Sequence, residues 1–213
     1  MTTVLCIADT HNTRFGVMCE IHCLTEGVMP DIFIHCGDAT DYGTPGEVER
    51  VGVQLARIAE LGCDIVFVPG NHDFLFRRQT RLAHDILKHY VPDIFLPKPF
   101  ETIEVRGRKI FCTPFVPPCG NWAFCLPVDQ FAEGIKTFFP KDGVDIVATH
   151  CPPKGILDTL GELELGYGPL LKTLDKTDLL LCGHVHEHGG KMEIKPTTTI
   201  INCAGVPMLH TLN

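Results

Sequence analysis

Carboxylate, amide and imidazole side chains recur at five places in this chain, each directly after a short apolar run. They are Asp9-Thr10-His11, Gly37-Asp38-Ala39-Thr40-Asp41, Gly70-Asn71-His72-Asp73, His150, and Gly183-His184-Val185-His186. Carboxylate and amide oxygens and imidazole nitrogens are ligands for Mn²⁺, Fe, Zn²⁺ or Mg²⁺. Seven such groups, Asp9, His11, Asp38, Asn71, His150, His184 and His186, are too many for one tetrahedral zinc. They suit two five- or six-coordinate divalent ions that share a bridging carboxylate. Ions about 3.5–4 Å apart can generate a hydroxide nucleophile, clamp a phosphoryl group and stabilise the departing oxygen. Each block alone has a bland reading. Asp-x-His and Gly-Asp are common turns, and a single histidine such as His150 is more often a hydrogen-bonded core residue. The joint pattern, in this order and each time at the end of an apolar run, is what chance does not easily supply.

Such groups must be positioned by strands, because binding residues in α/β sheets gather in the loops beyond strand C-termini. Apolar runs predict buried strands over 4–8, 31–36, 64–68, 144–149 and 179–182. Val48, Val51, Leu55, Ile58 and Leu61 recur at three- and four-residue spacing, which predicts an amphipathic helix over 46–61. Further helices are expected over 74–89, 128–139 and 165–175. Residues 100–105 and 109–113 flank an Arg106-Gly107 turn and read as a hairpin. The stretch 114–127 holds four prolines and the only tryptophan, and reads as a loop. The tail, 191–195, 197–202 and 206–211, reads as antiparallel strands. No repeat or linker interrupts the pattern, so residues 1–213 are expected to form one α/β domain with mixed strand pairing.

Composition narrows the function. The chain has 213 residues, 18 Lys plus Arg against 26 Asp plus Glu, and a net charge of −8. A duplex nucleic-acid binder that works by neutralising phosphates is normally basic, so neither duplex nucleic acid nor an anionic membrane is an expected partner. A small anionic substrate remains compatible, since a bound divalent ion reverses the local field. No apolar run approaches the about 18 residues that span a bilayer. The first residues carry no basic segment or cleavage signal. Eleven cysteines without a Cys-x-x-Cys pair, several inside apolar runs, read as small buried thiols in a reducing, cytoplasmic setting. Cys36, Cys151 and Cys182 lie within a few residues of the candidate ligands, which raises oxidation of the site as a question.

Asp9-x-His11, Gly37-Asp38-x-x-Asp41, Gly70-Asn71-His72-Asp73, His150 and Gly183-His184-x-His186 resemble the five signature blocks of the calcineurin-like metallophosphoesterase superfamily. The resemblance runs from residue 9 to residue 186. It implies a four-layer α/β/β/α sandwich of two mixed β-sheets flanked by helices. By motif position it implies that Asp9, His11 and His186 hold one metal, that Asn71, His150 and His184 hold the second, and that Asp38 bridges them. It further implies that His72 stays unligated near the substrate and either protonates the leaving oxygen or steadies the transition state, that Asp41 orients His72 and supports its protonated form, and that a metal-bridging hydroxide attacks phosphorus in line. A narrower resemblance rests on Asn121-Trp122-Ala123-Phe124, Thr149-His150-Cys151-Pro152-Pro153, His186-Glu187-x-x-Gly190, and Thr198-Thr199 with Asn202. These are similar to the small metallophosphoesterase-domain-containing proteins, which are grouped with class III cyclic-nucleotide phosphodiesterases. This implies hydrolysis of small phosphodiesters or cyclic nucleotides, with Mn²⁺ favoured.

Departures from the superfamily pattern also inform the reading. Its Ser/Thr protein phosphatases carry Arg-Gly after the Gly-Asp-x-x-Asp block, whereas Tyr42-Gly43 stands here; a phosphate-gripping arginine is missing at that point. Length and charge do not suit a DNA-end nuclease of this superfamily. A phosphomonoesterase or a nucleotide pyrophosphate hydrolase stays open, because the ligands alone do not separate these from a diesterase. A non-catalytic interaction module is a further alternative, although such relatives usually lose ligands. Outside the ligand set, Asn12 follows the first block and is a candidate substrate contact. Trp122 is either a packed loop anchor or a surface for a nucleobase. His188 is either a solvated loop residue or a phosphate contact. Arg77, Arg78 and Arg81 read as a solvated helix face, and His22, His35, His84, His89 and His210 as structural. Oligomeric state is not legible.

Overall fold

Val4, Cys6 and Ala8 alternate with Leu5 and Ile7, and all five are fully buried. A strand hidden on both faces must lie between two layers. In the computed structural model, which describes residues 1–213, those layers are a second sheet on one side and helices on the other. The first sheet contains β1 (Thr2–Ile7), β2 (Ile32–Cys36), β3 (Asp64–Val68) and the last strand, β12 (Met208–Leu212), in the order β12-β1-β2-β3. β1, β2 and β3 run parallel, and β12 runs antiparallel to β1. The second sheet has the order β10-β11-β9-β6-β5-β4, built from β4 (Glu101–Val105), β5 (Arg108–Thr113), β6 (Val144–Thr149), β9 (Thr177–Cys182), β10 (Lys191–Ile194) and β11 (Thr199–Asn202). Its four inner strands are parallel and its two edge strands antiparallel.

The seam between the sheets is an apolar cluster. The first sheet supplies Val4, Cys6, Ile32, Ile34, Cys36 and Val66, and the second Ile110, Cys112, Ile146, Leu179, Leu181 and Ile201. Full burial of one such aliphatic side chain contributes about 1.5–3 kcal/mol. The opposite faces carry helices. Leu5, Phe33, Ile65 and Phe67 cluster with residues of α1 (Phe15–Glu26), α2 (Pro45–Ala59) and α4 (Thr80–Tyr90), following the short α3 (Phe74–Arg78). Phe111, Val147 and Leu180 cluster with α5 (Val128–Phe138) and a 3₁₀ segment at Gly168–Lys176. This is the four-layer sandwich that the motif blocks imply. Many of the cysteines are small wedges of this packing: Cys6, Cys36, Cys112 and Cys203 in the seam, and Cys19, Cys23, Cys63, Cys151 and Cys182 under the outer layers.

Several elements differ from the sequence reading. α1 carries no legible signal, because apolar residues occupy both faces: Phe15, Cys19 and Cys23 are buried, while Ile21 and Leu24 are exposed. The expected helix over 74–89 is broken at Gln79, whose φ is −141°. There the Thr80 hydroxyl donates to the Phe76 carbonyl at 2.7 Å, a local bond that competes with the helical ladder. The segment expected as a helix over 165–175 is 3₁₀, and the Thr173 hydroxyl takes the Leu170 carbonyl. The tail is not one antiparallel unit. β11 pairs parallel with β9, and β12 crosses to the other sheet to pair with β1. A small exposed hairpin, β7 (Thr159–Leu160) with β8 (Leu163–Glu164), adds to the expected elements. No helix is long and apolar enough to cross a membrane.

Candidate metal centre

The loops after β1, β2, β3, β6 and β9 meet at one end of the two sheets. They are stitched to one another before any side chain is considered. Asp9 N–H donates to the Gly37 carbonyl at 2.8 Å, His11 N–H to that of Asp38 at 3.1 Å, and Gly183 N–H to that of His150 at 2.9 Å. The turns are tight enough that Asp9, His11, Asp38 and His184 have φ of 52°, 41°, 54° and 68°. Left-handed backbone at non-glycine residues costs on the order of 1–3 kcal/mol each and concentrates at functional sites. Gly37, with φ 98°, must be glycine for a further reason: a Cβ there would lie 2.6 Å from His150 Nδ1. Gly183 likewise leaves no room for a Cβ against the Asp9 carboxylate.

Two groups of ligand atoms result. Asp9, His11 and His186 form one, and Asp38, His150 and His184 the other, with the atoms of each group within 4.8 Å of one another. His186 Nε2 lies 3.2 Å from Asp9 Oδ1. Asn71 joins the second group, its Oδ1 3.0 Å from His150 Nε2. All seven predicted ligands are thus brought together across the seam between the sheets. His150 is fully buried, and its Nδ1–H donates to the Cys36 carbonyl at 2.8 Å. A carbonyl only accepts, so Nδ1 keeps its hydrogen and Nε2 is the nitrogen turned toward Asp38 and Asn71, the arrangement that metal-binding imidazoles use.

The buried charges of this cluster shift one another strongly. Burial opposes charging His150, but the Asp38 carboxylate, at 3.3 Å, outweighs it and holds the imidazole well above its ordinary value. Burial would likewise raise Asp38, and His150 followed by His72 holds it well below the usual carboxylate range. Burial and the neighbouring His150 push His184 down to about 4. The donor set fits two divalent ions: two buried carboxylates, four imidazoles and one amide oxygen converge, with Asp9, Asp38, Asn71 and His150 buried and His186 open to solvent. A proton held on His150 by Asp38 must leave when a metal takes Nε2. Because the imidazole is raised, that proton competes more strongly as pH falls. Mn²⁺ binding to metal-stripped protein is therefore expected to tighten from pH 6.5 to pH 8 and to release protons. Calorimetry in buffers of different ionisation enthalpy reads both; an affinity independent of pH contradicts this account.

His72 stands beside both groups without joining either. Its ring centroid is 4.8 Å from that of His11, and its Nε2 is 3.9 Å from Asp38 Oδ2. The expected link from Asp41 to His72 is made differently from the side-chain contact one would assume. His72 Nδ1–H donates to the Asp41 main-chain carbonyl at 2.8 Å. The Asp41 carboxylate instead lies 3.2 Å from His11 Nδ1 and accepts from Asn12 Nδ2 at 2.7 Å. The loop turns its carbonyl inward and Asn12 holds the carboxylate toward His11, so one residue orients two histidines.

Asn12, expected as a substrate contact, is spent on the protein. Its amide also donates to Glu47 Oε1 at 3.0 Å, and its Oδ1 faces Arg50. His188 is not brought into the ligand cluster. Its Nε2 lies 2.9 Å from the Thr159 hydroxyl on the small hairpin and its Nδ1 3.3 Å from Lys191 Nζ. Trp122 does reach the site. Its indole packs on the His72 imidazole with centroids 4.1 Å apart, and lies 5.7 Å from Phe74. The loop is pinned there by Ala123 N–H donating to the Asn71 carbonyl at 3.0 Å.

Three residues given no role from sequence hold these loops. Buried Asp73 accepts from Gly70 N–H at 2.8 Å and from the Thr40 N–H and hydroxyl at 3.0 and 2.8 Å, which buckles the second block to the third. Glu47 takes Thr44 in a capping box and also accepts from Asp41 and Tyr42 N–H. The Thr44-x-x-Glu47 spacing is the legible signal for it. Asn202 Nδ2 donates to the Val185 carbonyl at 3.0 Å and steadies the Gly-His-x-His turn; its place becomes apparent only once β11 pairs with β9.

Residues 2–188 match the sequence profile of the family described as calcineurin-like phosphoesterase. Metallophosphoesterase domain-containing protein 1 of Homo sapiens is 31% identical over 90% of this chain and 66% of its own length. The chain therefore spans about two thirds of that relative. A cAMP/cGMP dual specificity phosphodiesterase of Mycobacterium tuberculosis is 28% identical over 75% of this chain and 50% of its own length. Among solved structures, a Thermus thermophilus protein superposes with a TM-score of 0.67 at 14% identity, covering 94% of this chain and 88% of its own; that likeness concerns the fold.

Proposed function

Because this chain belongs to the calcineurin-like phosphoesterase family, we propose that its seven-ligand site hydrolyses phosphodiesters, with small or cyclic nucleotide-like diesters as the substrate class. The observation that carries the diester reading is the contact between Trp122 and His72. It sets a flat aromatic face beside a proton donor, which suits a substrate with a ring or a base on one side of phosphorus and an alkoxide to be protonated on the other. Position 42, where the phosphatase pattern places a phosphate-gripping arginine, is an exposed tyrosine. A diester, with one negative charge, asks less of such a grip than a monoester dianion. The cAMP/cGMP phosphodiesterase among the relatives supports the same substrate class.

Two divalent ions held by Asp9, His11, Asp38, Asn71, His150, His184 and His186 would supply the activated water and the Lewis-acid clamp on phosphorus. Residues 1–213 act as one unit in this reading, and Mn²⁺ is the ion to load first. The chain's own contribution is orientation and proton transfer. The Asp41 carbonyl keeps the Nδ1 hydrogen of His72 in place in both charge states, so Nε2 is the atom that gives a proton to the leaving oxygen. The Asp41 carboxylate fixes His11, and the Cys36 carbonyl fixes His150. Asp73 and Glu47 hold the loops whose strained backbone would otherwise relax. The net charge of −8 suits a small substrate drawn by the site rather than a duplex nucleic acid.

The test compares an aryl phosphodiester with the matching aryl monoester, using protein stripped of metal and reloaded with Mn²⁺. The diester is expected to be turned over at least about tenfold faster in kcat/KM, a difference of about 1.4 kcal/mol in transition-state stabilisation. A faster monoester replaces this reading with a phosphomonoesterase. Two bound metals with no turnover of either ester, or of a cyclic nucleotide, points to the non-catalytic alternative.

A further inference from the structure

Nine of the eleven cysteines are buried; Cys119 and Cys125 are not. These two face each other across the loop that carries Trp122, their sulfurs 3.4 Å apart. Trp122 sits midway between them in sequence. The loop closes on itself at its base. Val116 N–H donates to the Phe124 carbonyl at 3.1 Å and Leu126 N–H to the Val116 carbonyl at 3.0 Å. The Tyr167 hydroxyl lies within 2.6 Å of the Val116 carbonyl and can donate to it or to that of Leu126. Gly120, at φ 86°, and Phe124, at φ 52°, provide the turns that bring the thiols together. At its tip, the loop is exposed from Pro118 to Trp122. Cys36, Cys151 and Cys182, closest in sequence to the ligands, are fully buried, so an oxidant in solution reaches the loop pair before it reaches them.

We propose that Cys119 and Cys125 are a reversible dithiol–disulfide pair that staples this loop and fixes Trp122 against His72. The co-reactant is a small disulfide of the glutathione class. One cysteine thiolate attacks a sulfur of the small disulfide, forms a mixed disulfide and expels one small thiolate. The second cysteine thiolate attacks the protein sulfur of that mixed disulfide and expels the other. Two protein S–H bonds are lost and one protein S–S bond forms. The S–S bond of the small disulfide breaks, and the two protons end on two small thiols. The protein is oxidised by two electrons and the small disulfide is reduced by two. Partial burial and the hydrogen bond with Cys125 push the Cys119 thiol up to about 12. The thiolate that must start the exchange is therefore scarce, and the exchange is slow.

Reduced, the loop can lift the indole away from the imidazole; stapled, it cannot. Diester turnover is then expected to rise about 2–10-fold on oxidation, because the aromatic face beside His72 is held ready, the range that immobilising one side chain is worth. This last consequence alone rests on the proposed hydrolytic function. The staple itself is read without activity. Trp122 is the only tryptophan, so tryptophan emission, excited at wavelengths where the tyrosines do not absorb, reports on this loop. The full chain is incubated with glutathione disulfide, and fluorescence and free thiols are followed. The fragment 110–136, released by cleavage after Lys109 and Lys136, is then weighed. Wild type is expected to lose two hydrogens in that fragment, to shift its fluorescence, and to recover both with dithiothreitol. Cys119→Ser and Cys125→Ser are each expected to show neither the hydrogen loss nor the shift, taking up at most one glutathionyl group. Mixed disulfides only in wild type, or a disulfide that survives in either variant and so involves Cys112, overturns the pair. A disulfide that forms without a fluorescence shift overturns its link to Trp122. A staple that forms normally in protein inactive toward every ester leaves the pair standing and removes the hydrolytic reading instead.

Discussion

Asp38→Asn protein is expected to hold neither metal ion at stoichiometric occupancy and to lose at least about 10³-fold in kcat/KM, since metal stabilisation of the transferring group is worth several kcal/mol. Asp38 is the one carboxylate placed among the ligands of the second group whose second oxygen is also engaged at the centre of the site. Its Oδ1 accepts from His72 N–H at 2.8 Å and its Oδ2 lies 3.3 Å from His150 Nε2. The substitution keeps shape and hydrogen-bonding capacity and removes one buried charge. Without that charge the main group that offsets the burial opposing a cation beside His150 is gone, and Asp9 is the remaining carboxylate that does so. Metal analysis after gel filtration and an unfolding curve in urea separate loss of metal from loss of fold. Two ions retained at full occupancy in a folded Asp38→Asn protein would remove Asp38 from its central role.

His72→Ala is expected to leave metal content intact. His72 contributes no ligand atom to either group, and the N–H that it donates to Asp38 belongs to the main chain and survives the substitution. The loss falls on chemistry. Diesters with alkyl leaving groups are expected to slow about 10²–10⁴-fold, the usual worth of a positioned proton donor. Activated aryl diesters, whose leaving oxygen departs as an anion, are expected to slow less than about tenfold on the same grounds. Equal losses on both substrates mean that His72 does not protonate the leaving group, whatever else it does.

How much of this is legible in the chain depends on the kind of residue. The five ligand blocks can be read because each follows a strand, and strand-end loops at one end of a parallel sheet converge whatever the details of packing. β1, β2, β3, β6 and β9 are legible for a related reason: burial on both faces leaves continuous apolar runs, such as Ile32-Phe33-Ile34. α2 announces itself through spacing and its Thr44–Glu47 cap. α1 does not, because its exposed Ile21 and Leu24 blur the period that its buried Cys19 and Cys23 would mark.

The candidate chemistry of this site, its seven potential ligand groups and their order along the chain, was determined by the sequence alone, since side-chain type and strand-end placement are local properties. What touches what was decided by tertiary structure. Asn12 faces Asp41 rather than open solvent, and His72 leans on a carbonyl rather than a carboxylate. Trp122 lies on His72, β12 crosses to the first sheet, and Cys119 meets Cys125. Each of these contacts joins segments that local sequence places no closer than many alternatives. Which alternative forms is set by packing and hydrogen-bond satisfaction summed over the whole domain, and a buried donor or acceptor takes the partner that the finished fold brings within about 3 Å.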